Sequence, residues 1–161
     1  VLGIPTAMVS LSVSQIILQK VSSKDGLRSG YITNLIIQSM LGLSLIIIPF
    51  SFLIYFFGEA LFTLAFGEEW RLAGSYAGIL VVGLAVQFLA SPNSVVLTLK
   101  ENIKLGAFWQ ILRLCTISLV LFFAIHYDFE IFLYVFVTHE VVIYAIYILL
   151  IFVGAKRRAH R

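Results

Sequence analysis

Apolar residues run along this chain in five long stretches divided by short polar connections. The stretches cover about residues 1–19, 33–57, 73–99, 105–125 and 131–154. Each is long enough for a membrane-crossing helix, because about 20 residues at a rise of ~1.5 Å cover a hydrocarbon core of roughly 30 Å. None alternates apolar and polar residues with the period of a barrel strand. The pattern predicts an all-α, polytopic integral membrane protein of about five transmembrane helices.

The connections alternate in charge. Lys20, Lys24 and Arg28 against Asp25 make the first basic, with Gly26 and Gly30 as breakers. Glu59, Glu68 and Glu69 against Arg71 make the second, residues 58–72, acidic. Lys100 and Lys104 make the third slightly basic, and His126, Tyr127, Asp128 and Glu130 belong to an acidic fourth. The end, with Lys156, Arg157, Arg158, His160 and Arg161, is basic. Cytoplasmic loops carry the excess of Lys and Arg, so the first residue is expected outside and the C-terminus in the cytoplasm. The opening Val1-Leu2-Gly3 is already apolar, lacks methionine and has no basic region of a signal peptide. The expectation is a fragment with further protein upstream.

Polar residues inside the apolar stretches come next, because a bilayer tolerates few. In the first stretch, after Pro5 and among Ser10 and Ser14, Ser12, Gln15 and Gln19 share one helical face. That face is expected to meet protein or water rather than lipid, as a helix–helix seam or as a substrate path. Pro49 removes one helical hydrogen bond from the second stretch and predicts a kink; Asn34 and Gln38 lie one turn apart near its start. In the third stretch Gly74 and Gly78, and Ala73 and Ala77, form small-xxx-small steps that let two backbones approach. Gln87, Ser91, Ser94 and Thr98 then fall on one face around Pro92. Ser91, Pro92, Asn93 and Ser94 are read as a bend or gate on the cytoplasmic side. Freed carbonyls there need protein or water partners. Phe62, Phe66 and Trp70 suit the membrane–water interface.

Composition excludes a soluble domain. Of 161 residues 61% are hydrophobic and 12% charged, against roughly 25% charged in soluble domains, and the mean hydropathy is +1.05. The net charge of +3 is accounted for by basic helix ends, so no nucleic-acid partner is expected. The single Cys115 lies in an apolar run, has no partner for an internal disulfide and reads as a small packing residue.

Charged residues deep in membrane helices cost about 2.5–3.5 kcal/mol each on insertion scales, so they mark structure or function. Arg113 lies about eight residues, or ~12 Å, from the cytoplasmic end of its helix, with Gln110 one turn away. Glu140, next to His139, lies about nine residues, or ~13 Å, from the outer end of the following helix. In an antiparallel hairpin these depths nearly coincide, so an Arg113–Glu140 ion pair is possible. The alternative is that Arg113, with Gln110 and Gln87, faces a cavity and attracts an anionic group such as phosphate. His139 and Glu140 are then candidates for proton coupling. No Gly-rich phosphate loop, H-E-x-x-H or G-x-S-x-G occurs. His126, Asp128 and Glu130 do not have metal-ligand spacing. Neither enzyme activity, nor a metal, nor a cofactor is expected.

The stretch Phe66-Gly67-Glu68-Glu69-Trp70, followed by Ala73-Gly74 and Tyr76 and then by Ser91-Pro92, resembles the bacterial polysaccharide flippases of the multidrug/oligosaccharidyl-lipid/polysaccharide exporter superfamily. Phe66, Gly67, Trp70, Ala73 and Gly74 carry the sharpest part of the resemblance. It implies a larger protein of two pseudo-symmetric lobes, with this chain as the C-terminal transmembrane lobe and an N-terminal lobe as its partner. It implies translocation of an undecaprenyl-pyrophosphate-linked saccharide across the bacterial inner membrane by alternating access, in O-antigen or other cell-surface polysaccharide synthesis. A drug or toxin exporter of the same superfamily and a membrane-embedded envelope-polysaccharide enzyme are the alternatives.

Overall fold

The structure is a computed structural model that describes residues 3–22, 30–124 and 128–159. The described residues form five α-helices: α1 Gly3–Ser22, α2 Tyr31–Phe66, α3 Arg71–Ala90, α4 Ile103–Ala124 and α5 Phe129–Ala159. Two 3-10 helices, Glu68–Trp70 and Ser91–Thr98, flank α3. No strand occurs among the described residues. Four helical segments are long and apolar enough to cross a membrane: Tyr31–Phe66, Glu68–Thr98, Ile103–Ala124 and Phe129–Arg157. The five-span expectation is thus met by four segments. α1, with 20 residues, carries Ser12, Ser14, Gln15 and Gln19 and is not among them.

α2 changes the second connection. The acidic segment expected as a loop over residues 58–72 is helical to Phe66, which makes α2 36 residues long, or about 54 Å. Its buried residues Ile32, Ile36, Leu43, Ile47, Ile54 and Gly58 recur every four or seven positions and form one stripe. That stripe lies against α3, where Leu43 and Ile47 meet Phe88, and Ile54 meets Ala77 and Val81. Gly58 is therefore a packing residue inside α2 and not the start of the connection. A methyl group at Gly58 would stand 2.5 Å from the Gly74 carbonyl oxygen. The step expected at Gly74 and Gly78 is borne out: Gly74 meets the backbone of Gly58, and Gly78 that of Ile54 and Tyr55.

The reversal from α2 to α3 is built by the Phe66–Trp70 motif. Gly67 has φ +100° and ψ 170°, a conformation essentially confined to glycine. Its N–H donates to Thr63 O at 2.8 Å and closes α2, and its carbonyl accepts from Trp70 N at 3.0 Å. The rings of Phe66 and Trp70 are 5.3 Å apart over the turn. Both are about half exposed, as suits interfacial aromatics. Arg71 Nε donates to Glu59 Oε2 at 3.2 Å across the same turn. The pair is exposed and contributes at most about 1 kcal/mol.

The main core sits toward the other end, where Ile17, Ile36, Val96, Leu97, Trp109, Tyr147 and Ile151 pack together. α1 joins it through Ile17 and Val13, with Ser14 beside them. The stripe of Ser12, Gln15 and Gln19 is exposed and lies on the side of α1 away from Ile17 and Ser14. On the opposite side Ser14 makes a polar contact of α1 with the Ser91–Thr98 segment. Cys115 is exposed on α4, so its reading as a packing residue is corrected. α2 remains helical through Pro49. Lys24, Asp25, Gly26, Arg28, His126, Tyr127, His160 and Arg161 lie outside the described residues.

Candidate functional site

Two polar centres lie within the apolar helices. The first is the Ser91–Ser94 stretch. The chain does not break at Pro92; it tightens into a 3-10 helix over the eight residues Ser91–Thr98. Runs longer than three or four residues are uncommon and mark strain or a hinge. Tightening and the missing N–H of proline release carbonyls, which must find donors inside a membrane. Polar side chains supply them. Asn93 Nδ2 donates to Leu89 O at 2.9 Å and Ser94 Oγ to Ser91 O at 2.6 Å. Ser14 Oγ of α1 donates to Pro92 O at 3.1 Å, and Thr98 Oγ1 to Val95 O at 2.8 Å. Asn102 Nδ2 donates to Val96 O at 3.1 Å. The polar spacing seen in the sequence thus serves the backbone. Gln87, one turn before Ser91, is half-buried.

Asn102 was not a candidate in the sequence, yet it is fully buried. Its Nδ2 also donates to Gly154 O at 3.0 Å, tying the start of α4 to the end of α5. A Cβ at Gly154 would stand 3.0 Å from that Nδ2, so the glycine admits the clamp. Its signal in the sequence is an Asn just before a helical run, a capping position. Asn102→Ala leaves the Val96 and Gly154 carbonyls without this donor and should lower stability by about 2 kcal/mol. A thermal unfolding scan in detergent checks this.

The second centre joins α4, α5 and α3. Arg113 on α4 donates from Nη2 to Glu140 Oε2 on α5 at 3.2 Å. The side chain of Arg113 is 35% exposed and that of Glu140 7%. The ion pair foreseen from helix depth is present. Aromatic rings frame it: the Arg113 guanidinium carbon lies 5.6 Å from the Trp109 ring and 5.2 Å from the Tyr144 ring. Cation–π attraction of this kind contributes about 0.5–2 kcal/mol as desolvation increases. Trp109 stacks on Tyr147 at 3.7 Å and donates from Nε1 to Ile143 O at 3.1 Å, so its buried N–H is satisfied.

His139 completes the cluster. Its Nε2 lies 2.8 Å from Thr116 Oγ1, and its Nδ1 lies 3.3 Å from Glu140 Oε1. The latter contact is close enough for an ion pair but is not aligned as a hydrogen bond, so both atoms lack a hydrogen-bond partner. On α3, Gly83 makes room: a Cβ there would stand 3.5 Å from the Glu140 Cβ.

The structure therefore brings Arg113, His139 and Glu140 together. Gln110 is exposed on α4, and Gln87 sits one turn along α3 from Gly83; no hydrogen bond of either to Arg113 is seen among the described residues. Ser91, Pro92, Asn93 and Ser94 form the packed 3-10 segment, whose Ser94 hydroxyl meets Tyr147 next to Trp109, and Phe66, Gly67, Trp70, Ala73 and Gly74 form the α2–α3 turn and seam. Thr116, Trp109, Tyr144 and Gly83 were missed. Thr116 and Trp109 are three and four residues from Arg113, and Tyr144 is four from Glu140, so helical spacing alone points to three of them. No group of three or more metal-ligating side chains occurs among the described residues, and Asp128 and Glu130 are exposed. Comparison of the chain with protein-family models, with curated proteins and with solved structures finds no match.

Proposed function

We propose that this chain is the C-terminal lobe of a membrane transporter that flips an undecaprenyl-pyrophosphate-linked saccharide across the bacterial inner membrane. The resemblance at Phe66–Gly74 and Ser91-Pro92 names the substrate. The observation that carries the reading is the Arg113–Glu140 pair with His139, ionisable groups held within apolar helices at one depth. Such groups mark ion or substrate pathways in membrane proteins. The guanidinium is partly exposed and suits a pyrophosphate.

α1 supports the same reading. In a bilayer its outward stripe of Gln15 and Gln19 needs water or protein beside it. A helix lining a hydrophilic path between two lobes meets that need and accounts for its lower apolarity. α1 is then the fifth span, with the first residue outside and the C-terminus cytoplasmic.

The test is flipping of a fluorescent polyprenyl-pyrophosphate saccharide by the full-length protein in proteoliposomes. Arg113→Gln should slow flipping by at least about tenfold, the equivalent of ~1.4 kcal/mol. Asp128→Asn and Glu130→Gln should leave it unchanged. If the outer acids are required and Arg113 is dispensable, the transporter reading gives way to a membrane-embedded enzyme.

A further inference from the structure

The Asn102 clamp decides which charged residues share one end of the α4–α5 hairpin. Its Nδ2 holds Gly154 O at 3.0 Å, and its own carbonyl accepts from Leu105 N at 2.9 Å and opens α4. The first turn of α4 and the last turns of α5 are thereby fixed at one level. Small residues permit the approach: Gly154 meets Asn102 and Leu97, and Ala155 beside it is buried. Lys100 and Lys104 lie two residues to either side of Asn102, and Lys156 and Arg157 two and three residues after Gly154. All four are exposed. None makes an ion pair among the described residues, and Glu101, the acid between the two lysines, already has an interaction. Like charges gathered at one end repel each other, and an anion placed among them relieves the repulsion.

Beneath the cations both helices turn apolar side chains outward. Lys104, Phe108 and Ile111 follow one another at helical spacing on α4, and Leu149, Val153 and Arg157 do so on α5. The four apolar members are exposed. α4 runs away from this end and α5 runs toward it, so both rows descend from the cations in the same direction. They lie on the outside of the hairpin. Gly106, on the opposite side of α4, packs on Leu97, and Val137, on the side of α5 opposite Val153 and Arg157, meets Gly83 of α3.

We propose that this end of the hairpin is a binding site for an anionic phospholipid, with its phosphate held by Lys104 and Arg157, flanked by Lys100 and Lys156, and its acyl chains along the rows headed by Phe108 and Val153. Basic pockets between membrane helices take such headgroups. The order of chemistry along the hairpin favours a lipid over a free phosphate: a free anion uses the cations and leaves the apolar rows unoccupied, whereas a phospholipid uses both. Asn102 is a positioning residue, since its bond to Gly154 sets the cations of the two helices at one level. A lipid bridging the two helix ends in turn stabilises the contact that the clamp makes, because it binds the folded hairpin and not the separated helices. The proposal is independent of what the chain transports.

The experiment titrates phosphatidylglycerol, and in parallel phosphatidylcholine, into the intact protein in micelles of a neutral detergent. It reads the midpoint of thermal unfolding and, by native mass spectrometry, the lipid retained. Phosphatidylglycerol should raise the midpoint and stay bound; phosphatidylcholine at the same concentration should do neither. Lys104→Gln and Arg157→Gln should each weaken phosphatidylglycerol binding by about fivefold, and together by about 25-fold. The midpoint in detergent alone should not change, because both side chains are exposed. Lys104→Arg keeps the charge and should keep the affinity, which separates loss of the site from loss of the fold. Arg71→Gln, an exposed cation of the α2–α3 turn, should leave binding unchanged. Equal binding of the two lipids, an affinity unmoved by the double substitution, or an equal loss in Lys104→Arg or in Arg71→Gln overturns the proposal. Glycerol phosphate, a headgroup without chains, should not raise the midpoint; if it does so as well as the lipid, the site belongs to a free anion and the lipid assignment is overturned.

Discussion

Gly74→Val is expected to force α2 and α3 apart, with a loss at or above the upper end of the ~1–3 kcal/mol typical of overpacking. The reason is what the new side chain meets. At this crossing each glycine faces the other's backbone, with a methyl at Gly58 only 2.5 Å from Gly74 O. A side chain can rotate out of the way, whereas a carbonyl inside a helix cannot without losing its hydrogen bond. Gly58→Val should behave alike, and the double variant should lose less than the sum, since one separation of the helices serves both. Gly42→Ala is the control. It lies in α2, and a methyl group added there has nothing within 4 Å, so the change should be neutral or stabilising by up to about 1 kcal/mol. Unfolding in mixed detergent micelles, followed by tryptophan fluorescence, separates these cases.

Arg113→Met should destabilise the protein by about 3 kcal/mol, because it strands a buried carboxylate. Glu140→Leu should cost less, about 1–2 kcal/mol. The guanidinium it leaves behind is partly exposed and keeps the Trp109 and Tyr144 rings beside it. Together the two changes should cost less than Arg113→Met alone, with a coupling of about 2 kcal/mol. The same variants divide stability from function. If the double variant regains both stability and flipping, Arg113 serves only as the partner of Glu140. If it regains stability and not flipping, the charge acts on the substrate.

The residues of these two predictions were legible to different degrees. Gly74 and Gly78 announce a close helix contact by their spacing, and the contact is there. In the sequence Gly58 opens the acidic second connection, residues 58–72, because Glu59 and the following aromatic residues give that segment an interfacial look. Only the packing of α2 along α3 shows that the helix continues and that Gly58 is the other half of the seam. The pair of Arg113 and Glu140 was legible as a possibility, since two charges at matching depth in a hairpin have few other places to go. Helical rotation decides whether they meet, and that depends on how α4 is turned by Trp109 against Tyr147 and Ile143.

By itself the sequence determined the helical class, four of the five apolar stretches it marks as membrane-crossing and the close approach at Gly74. These follow from local quantities: apolar run length, helical periodicity and the small volume of glycine. What only the tertiary structure decided were the partners of each polar group. It turned Gln15 and Gln19 of α1 outward and set Ser14 against the Ser91–Thr98 segment. It made Asn93, Ser94 and Asn102 donors to the carbonyls in and beside a 3-10 helix. It placed Thr116, His139 and Glu140 in a line beside Arg113. The physical reason is that an apolar interior requires every polar group to find a partner. Which partner it finds depends on contacts between helices far apart in the chain, and no local pattern encodes their rotation.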